Sequence, residues 1–215
     1  MNFNYISLLM MGSSIITLFL SLYMRKHRNI DNPAILPLSW LLASATIWSF
    51  FYGLEVASTN LAIMKILNLF GYLGIATLPV FWFIFSAHYC GNSSWLTASN
   101  TVLLFIIPAL TITMVATNDL HQLYYSTVQL ETFGIFSFQK MAPAFFYWVH
   151  VIYSFLIYLV GLALFIRLFF NVPSEKRSSI GIFIISSIFP YGVVCSYLLG
   201  FKHIIILYNF IIKYN

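Results

Sequence analysis

The sequence predicts an all-α membrane protein, a polytopic bundle of transmembrane helices, and three observations predict it. The chain is 61% hydrophobic and 7% charged over 215 residues, with mean hydropathy +0.91, whereas a soluble domain is roughly 45–50% apolar and about 25% charged. Its apolar residues fall in runs close to the roughly 20 residues a bilayer requires. These runs lack period-2 alternation, so the backbone, which finds no hydrogen-bond partner in lipid, must close its bonds within helices and not within a barrel. No soluble domain is expected, and residues 1–215 read as one membrane-embedded module of a multi-pass cell-membrane protein.

The runs occupy residues 3–24, 33–57, 62–87, 95–117, 143–170 and 179–200, which makes six full helices. The first has no basic residue before it, no small-residue cleavage motif, and Arg25, Lys26 and Arg28 directly after it. It therefore reads as an anchor with the N-terminus outside. In that orientation Arg25, Lys26, Arg28, Arg167, Lys176 and Arg177 are inside, while Lys65, Lys140 and Lys202 are outside, a bias that agrees with the positive-inside rule. The outer connection 118–140 reads as a polar segment carrying Asp119 and Glu131. Pro33, Pro37 and Pro143 lie near helix starts, where a missing N–H is harmless; Pro79, Pro108 and Pro190 lie inside runs and should kink them. Pro190, followed by Tyr191 and Gly192, is the hinge candidate. After Gly200 the apolar stretch 204–212 would rise only about 14 Å as a helix, so a seventh helix is begun but not completed.

Several function classes are excluded. The net charge of +5 does not point to nucleic acid, because the basic residues are scattered singly or flank apolar runs. Cys90 and Cys195 fall at opposite depths and should not pair. The five histidines have no ligand-type partner at helical spacing, so no metal site is indicated. No Ser/His/Asp constellation, HExxH, GxSxG or phosphate-cradling glycine loop occurs. No cofactor is indicated, and no enzymatic activity is expected of this chain.

The polar residues within the spans are the candidates for function. Glu55 is the only acidic residue inside a predicted span, about a turn from the outer end of the second helix. Across the short turn the third helix offers Lys65, Asn68 and Tyr72 on one face. Glu55 reads either as a structural group, paired with Lys65 or snorkelling, or as part of a ligand- or proton-sensing pocket. His150, with Tyr147 and Ser154 on its face and Trp148 and Tyr153 flanking it, should lie at a similar depth, as an interhelical hydrogen-bond donor or a pH- or ligand-responsive group. His121 follows the fourth helix as an outer loop histidine.

Four blocks occur in order: FFYGLEVAS; FGYLGIATLPVFWFIFSAHYCG with Trp95 and Leu96 beyond it; IIPALTITMVATNDLHQLYYS; and FFYWVHVIYSFLIYLVGLALFIRLF. Together, over roughly residues 38–200, they resemble the seven-helix N-terminal sensor region of membrane histidine kinases. The resemblance implies a module that senses an outside or intramembrane signal in a two-component system and passes it to cytoplasmic domains after its seventh helix. It carries over Glu55, Tyr72, Gly74, Pro79, Asn118, His121, His150 and Tyr153 as an outer-half cluster. With Asn68 from the helix face, the expected ligand-binding residues are Glu55, Tyr72, His121, His150, Tyr153 and Asn68.

The expected partners are the lipid bilayer, a small ligand or membrane-derived signal, and either a second copy of the chain or a separate signalling partner. Beyond Gly200 the sequence departs from the pattern, and neither a phosphoacceptor helix nor an ATP-binding domain follows. The expectation is a truncated product, a split partner or a stand-alone regulator that could not autophosphorylate. A small transporter or channel is the rival reading, although the two halves show no repeat of the kind transporters carry. A non-functional remnant is the third.

Overall fold

The computed structural model describes residues 3–28, 32–133 and 136–198. Among the described residues, five segments are long and apolar enough to cross a membrane: helix α1 (Tyr5–Lys26), α2 (Ile35–Ala57), α3 (Leu61–Tyr89), the stretch Ala98–Ala116, and α7 (Phe145–Asn171). The sixth run forms helix α8 (Ser174–Leu198), which begins earlier than expected with Ser174, Glu175, Lys176 and Arg177 in its first turn. The side chains of Pro190 and Cys195, and the start of a seventh helix after Gly200, lie outside the described residues. The chain divides at Gly161, within α7, into two compact units, residues 1–161 and 162–215.

In the first unit, α1 packs on α2, α2 on α3, and α3 on the fourth span. Lipid tails are as apolar as the helices, so this packing is driven by close approach and interhelical hydrogen bonds, not by hydrophobic burial. The α1–α2 seam uses both. Ser7, Ser14 and Ser21 recur every seven residues and are buried, and such a repeat keeps one stripe of a helix on its neighbour. Along this seam the Ser13 and Ser49 hydroxyls bond at 2.7 Å, Thr46 donates to Thr17 at 2.9 Å, and Ser21 donates to the Ser39 carbonyl at 2.8 Å. Each such bond in a membrane contributes about 0.6 kcal/mol. Asn4 begins α1 with a capping box shared with Ser7, and its amide also donates to the Val56 carbonyl at 3.3 Å, tying the start of α1 to the end of α2.

The fourth span is broken, as Pro108 leads one to expect. It splits into α4 (Ala98–Leu104) and α5 (Ile106–Ala116) at Phe105. Pro108 has no N–H to offer the Leu104 carbonyl four residues back. The Tyr153 hydroxyl of α7 supplies the missing donor, at 2.5 Å. Tyr153→Phe should leave that carbonyl without a partner and cost about 1–3 kcal/mol. A lowered thermal unfolding midpoint in detergent would register the loss, and an unchanged midpoint would show that the bond contributes nothing. Pro79, by contrast, lies inside a single uninterrupted α3.

The connection read as an outer polar segment contains a β-hairpin, so the chain is mostly but not wholly helical. After the short helix α6 (Asn118–His121), strand β1 (Tyr125–Phe133) runs antiparallel to β2 (Phe136–Pro143), with Val128 opposite Met141 and Leu130 opposite Gln139. The residues of β2 alternate as a half-buried strand must: Ser137, Gln139 and Met141 are at least partly buried, whereas Phe138 and Lys140 are exposed. On the exposed face Lys140 and Glu131 form a 2.5 Å ion pair. Gln139 contacts α2, so the hairpin is held against the helices at that end.

In the second unit, Phe165 and Phe183 stack with centroids 5.5 Å apart, and the Arg177 guanidinium lies 5.8 Å over the Phe169 ring. Among its described residues, Phe165 and Ile180 are buried apolar ones.

Candidate functional site

Glu55, in the last turn of α2, is 6% exposed. A carboxylate removed from water needs partners for its oxygens. These come from two neutral amides: Asn68 on α3 donates at 3.3 Å and Gln139 on β2 at 2.9 Å. The structure therefore corrects the expected Glu55–Lys65 pair. Lys65 instead reaches Asp119 of α6 at 2.6 Å. The α2–α3 turn does bring the two faces together, but Asn68, one helical turn beyond Lys65, meets the carboxylate.

Beside this group lies an aromatic cluster of Tyr72, Tyr124 and Tyr125, against which Val128, Met141, Phe146 and Tyr147 pack. The Tyr72 and Tyr125 hydroxyls are hydrogen-bonded to each other. Tyr72 and Tyr124 meet edge to face at 5.4 Å, as aromatic quadrupoles favour. Burial raises the Tyr124 and Tyr125 phenols above the usual tyrosine range, so both stay neutral. Asn118 places these two residues. Its side-chain oxygen accepts from the Tyr124 N–H at 3.0 Å and the Tyr125 N–H at 2.9 Å, and its amide donates to the Tyr125 carbonyl at 3.0 Å.

His150 on α7 is 5% exposed, and its ring centroid is 6.3 Å from that of Tyr72. Among the described residues its Nδ1 has no hydrogen-bond partner, nor has the buried Ser154 hydroxyl oxygen one turn further along α7. The expected site residues thus fall into three pairs. Glu55 and Asn68 are hydrogen-bonded, and Tyr72 and His150 adjoin in the neighbouring aromatic cluster. His121 and Tyr153 are engaged elsewhere: His121 closes its own turn, with Thr117 at 3.0 Å and the Leu123 N–H at 2.9 Å, and Tyr153 serves the Leu104 carbonyl.

Gln139, Tyr124 and Tyr125 were not legible as site residues. The alternation FSFQKM was the signal for a strand, and a strand would have turned Gln139 to the same side as Met141. Two adjoining clefts open at this end. One, of about 350 Å³, is lined by Lys65, Asp119, Gln122 and β1 residues. The other, of about 160 Å³, includes Asn68, Gln139 and Met141, and both share Lys65, Asn118, Asp119, Tyr125 and Val128. No group of three His, Cys, Asp or Glu side chains that could hold a metal occurs among the described residues.

A bundle of membrane-length apolar helices, with a buried carboxylate and a tyrosine cluster gathered at one end beneath a hairpin, defines a membrane-embedded helical protein with a polar end-site. Over residues 9–211 the sequence matches the family described as the N-terminal 7TM region of histidine kinase, and the chain belongs to that family. The family is the non-catalytic sensor part of these kinases, the membrane portion of a signal-transducing two-component system. Comparisons with curated proteins and with solved structures gave no match.

Proposed function

We propose that residues 1–215 form a single multi-pass input module of the cell membrane, with the N-terminus outside, six full helices and the beginning of a seventh. It reads a small ligand or a membrane-derived signal at the end that carries Glu55. The observation that carries this reading is the Glu55 carboxylate, buried yet held by amides from two other elements, Asn68 on α3 and Gln139 on β2. Buried ionisable groups within membrane spans are costly, and they commonly mark sites where protons or ligands act. Changing the charge or the partners of Glu55 alters what holds α2, α3 and the hairpin together, which is the two-state element a sensor needs. His150, beside Tyr72, is the second responsive group. A second copy of the chain or a separate signalling protein receives the output.

The test uses the chain in lipid nanodiscs, with spin-label distances between α2, α3 and β2 followed across about pH 5 to 8 and across a panel of small ligands. The wild-type distances are expected to change with at least one condition. Glu55→Gln, which keeps the shape but not the charge, should abolish the change, and His150→Ala should reduce it. Distances that respond identically in all three proteins would sink the proposal.

A further inference from the structure

Arg25, in the last turn of α1, is exposed, and its guanidinium lies 4.9 Å over the ring of Trp40 on α2. One turn earlier the Ser21–Ser39 hydrogen bond fixes this end of the α1–α2 seam. A ring quadrupole holds a cation over its face, but that contact uses none of the cation's N–H donors. Among the described residues, the Arg25 N–H groups have no hydrogen-bond or ion-pair partner. A planar fork of charged donors is thus held in place where a span ends, with its donors unused. Lys26 and Arg28 beside it are exposed as well.

Trp40, which is 41% exposed, continues into a run of rings. It stacks on Phe81 of α3 at 6.1 Å, and Phe81 meets Phe105, at the α4–α5 break, edge to face at 5.4 Å. At 1.5 Å per residue these three rings lie about 7–12 Å inside the helix ends on the Arg25 side, whereas Arg25 stands at the end of its own helix.

We propose that Arg25 and Trp40 form a site for an anionic phospholipid, its phosphate taken bidentately by the guanidinium and one acyl chain laid along Trp40, Phe81 and Phe105. The site lies at the opposite end of α2 from Glu55, so the proposal goes beyond the input-module reading and stands without it.

Charge complementarity selects the phosphate. A guanidinium matches two phosphate oxygens with parallel N–H donors and is more weakly hydrated than an ammonium, which favours Arg25 over the neighbouring Lys26. The added charges of Lys26 and Arg28 favour a net-negative headgroup over a zwitterionic one. The rings select a lipid over a free anion, because they offer apolar surface that continues inward from the phosphate position, as an acyl chain does. In the orientation proposed above, this end faces the cytoplasmic leaflet, whose surface is negative.

The experiment uses the whole chain in a neutral detergent, with phosphatidylglycerol, phosphatidylcholine and inorganic phosphate as probes and native mass spectrometry counting what stays bound. Wild-type protein is expected to retain one phosphatidylglycerol about tenfold more tightly than phosphatidylcholine, and inorganic phosphate at the same concentration should not displace it. Arg25→Gln should weaken retention about tenfold, and Arg25→Lys, which keeps the charge but loses the fork, about fivefold. Lys26→Gln removes an equal charge one residue away and should change retention by less than about twofold. In nanodiscs, phosphatidylglycerol with a photoactivatable group on one acyl chain should label the segments of wild-type protein that hold Phe81 and Phe105, a readout that needs no variant to fold.

Equal retention of the two lipids, or equal losses in Arg25→Gln and Lys26→Gln, would show only general attraction to a basic helix end. Displacement by inorganic phosphate would show a free-anion site, and labelling spread evenly over the lipid-facing helices would show no path for the chain. Each of these results overturns the proposal.

Discussion

Replacing Asn118 with alanine is expected to undock the hairpin and lower stability by about 3 kcal/mol or more. Its side chain satisfies two N–H groups and one carbonyl at the start of β1, all within a buried region. Each buried polar group left without a partner costs about 1–3 kcal/mol. Tyr124 and Tyr125 are the first residues displaced, and they anchor the hairpin onto Tyr72. Gln139 then loses its place beside Glu55. Limited proteolysis of the hairpin and the thermal midpoint together measure the effect. A variant as protected and as stable as wild type would show that the aromatic packing alone holds the hairpin.

The second large effect is expected from Gly74→Ala. A Cβ at Gly74 would stand 2.3 Å from the Ser44 carbonyl oxygen and 2.7 Å from the Trp48 backbone nitrogen. Both atoms belong to the backbone of α2 and cannot rotate away, so the two helices must separate. Overpacking of this kind costs about 1–3 kcal/mol and occasionally more, which outweighs the gain of about 1 kcal/mol that alanine brings to a helix interior. The separation also strains the nearby Ser44–Thr77 hydrogen bond of 2.9 Å. Gly12 supplies the control. Nothing lies within 4 Å of its added Cβ, so Gly12→Ala should be neutral or stabilising by up to about 1 kcal/mol. Thermal midpoints that move the same way in both variants would contradict the close α2–α3 approach.

Both positions stand among the residues carried over by family resemblance, yet the role of neither could be read in advance. Nothing around Gly74 in the sequence says that α2 backbone lies against it. The three hydrogen bonds of Asn118 exist only once the chain has turned at Gln122, whose φ of 55° is left-handed. Tyr153 was expected to belong with Glu55, but a helix break three residues before Pro108 claims its hydroxyl. A proline's lost donor is local information, whereas the donor that replaces it comes from wherever the fold places one.

The membrane helices themselves were determined by the sequence alone, because burial in lipid depends on hydrophobicity summed over about 20 residues and on backbone bonds closed within each segment. The break near Pro108 follows from such a local term, whereas α8 begins at Ser174, ahead of the apolar run. Family membership is likewise a property of the order of the blocks. Tertiary structure alone decided which partner each polar group takes. Lys65 lies within reach of the sequence-adjacent Glu55 hairpin but pairs with Asp119, while Asn68 and the distant Gln139 take the carboxylate. Hydrogen bonds and ion pairs depend on ångström distances between elements, and these are set by helix packing and strand register, which no window of sequence contains.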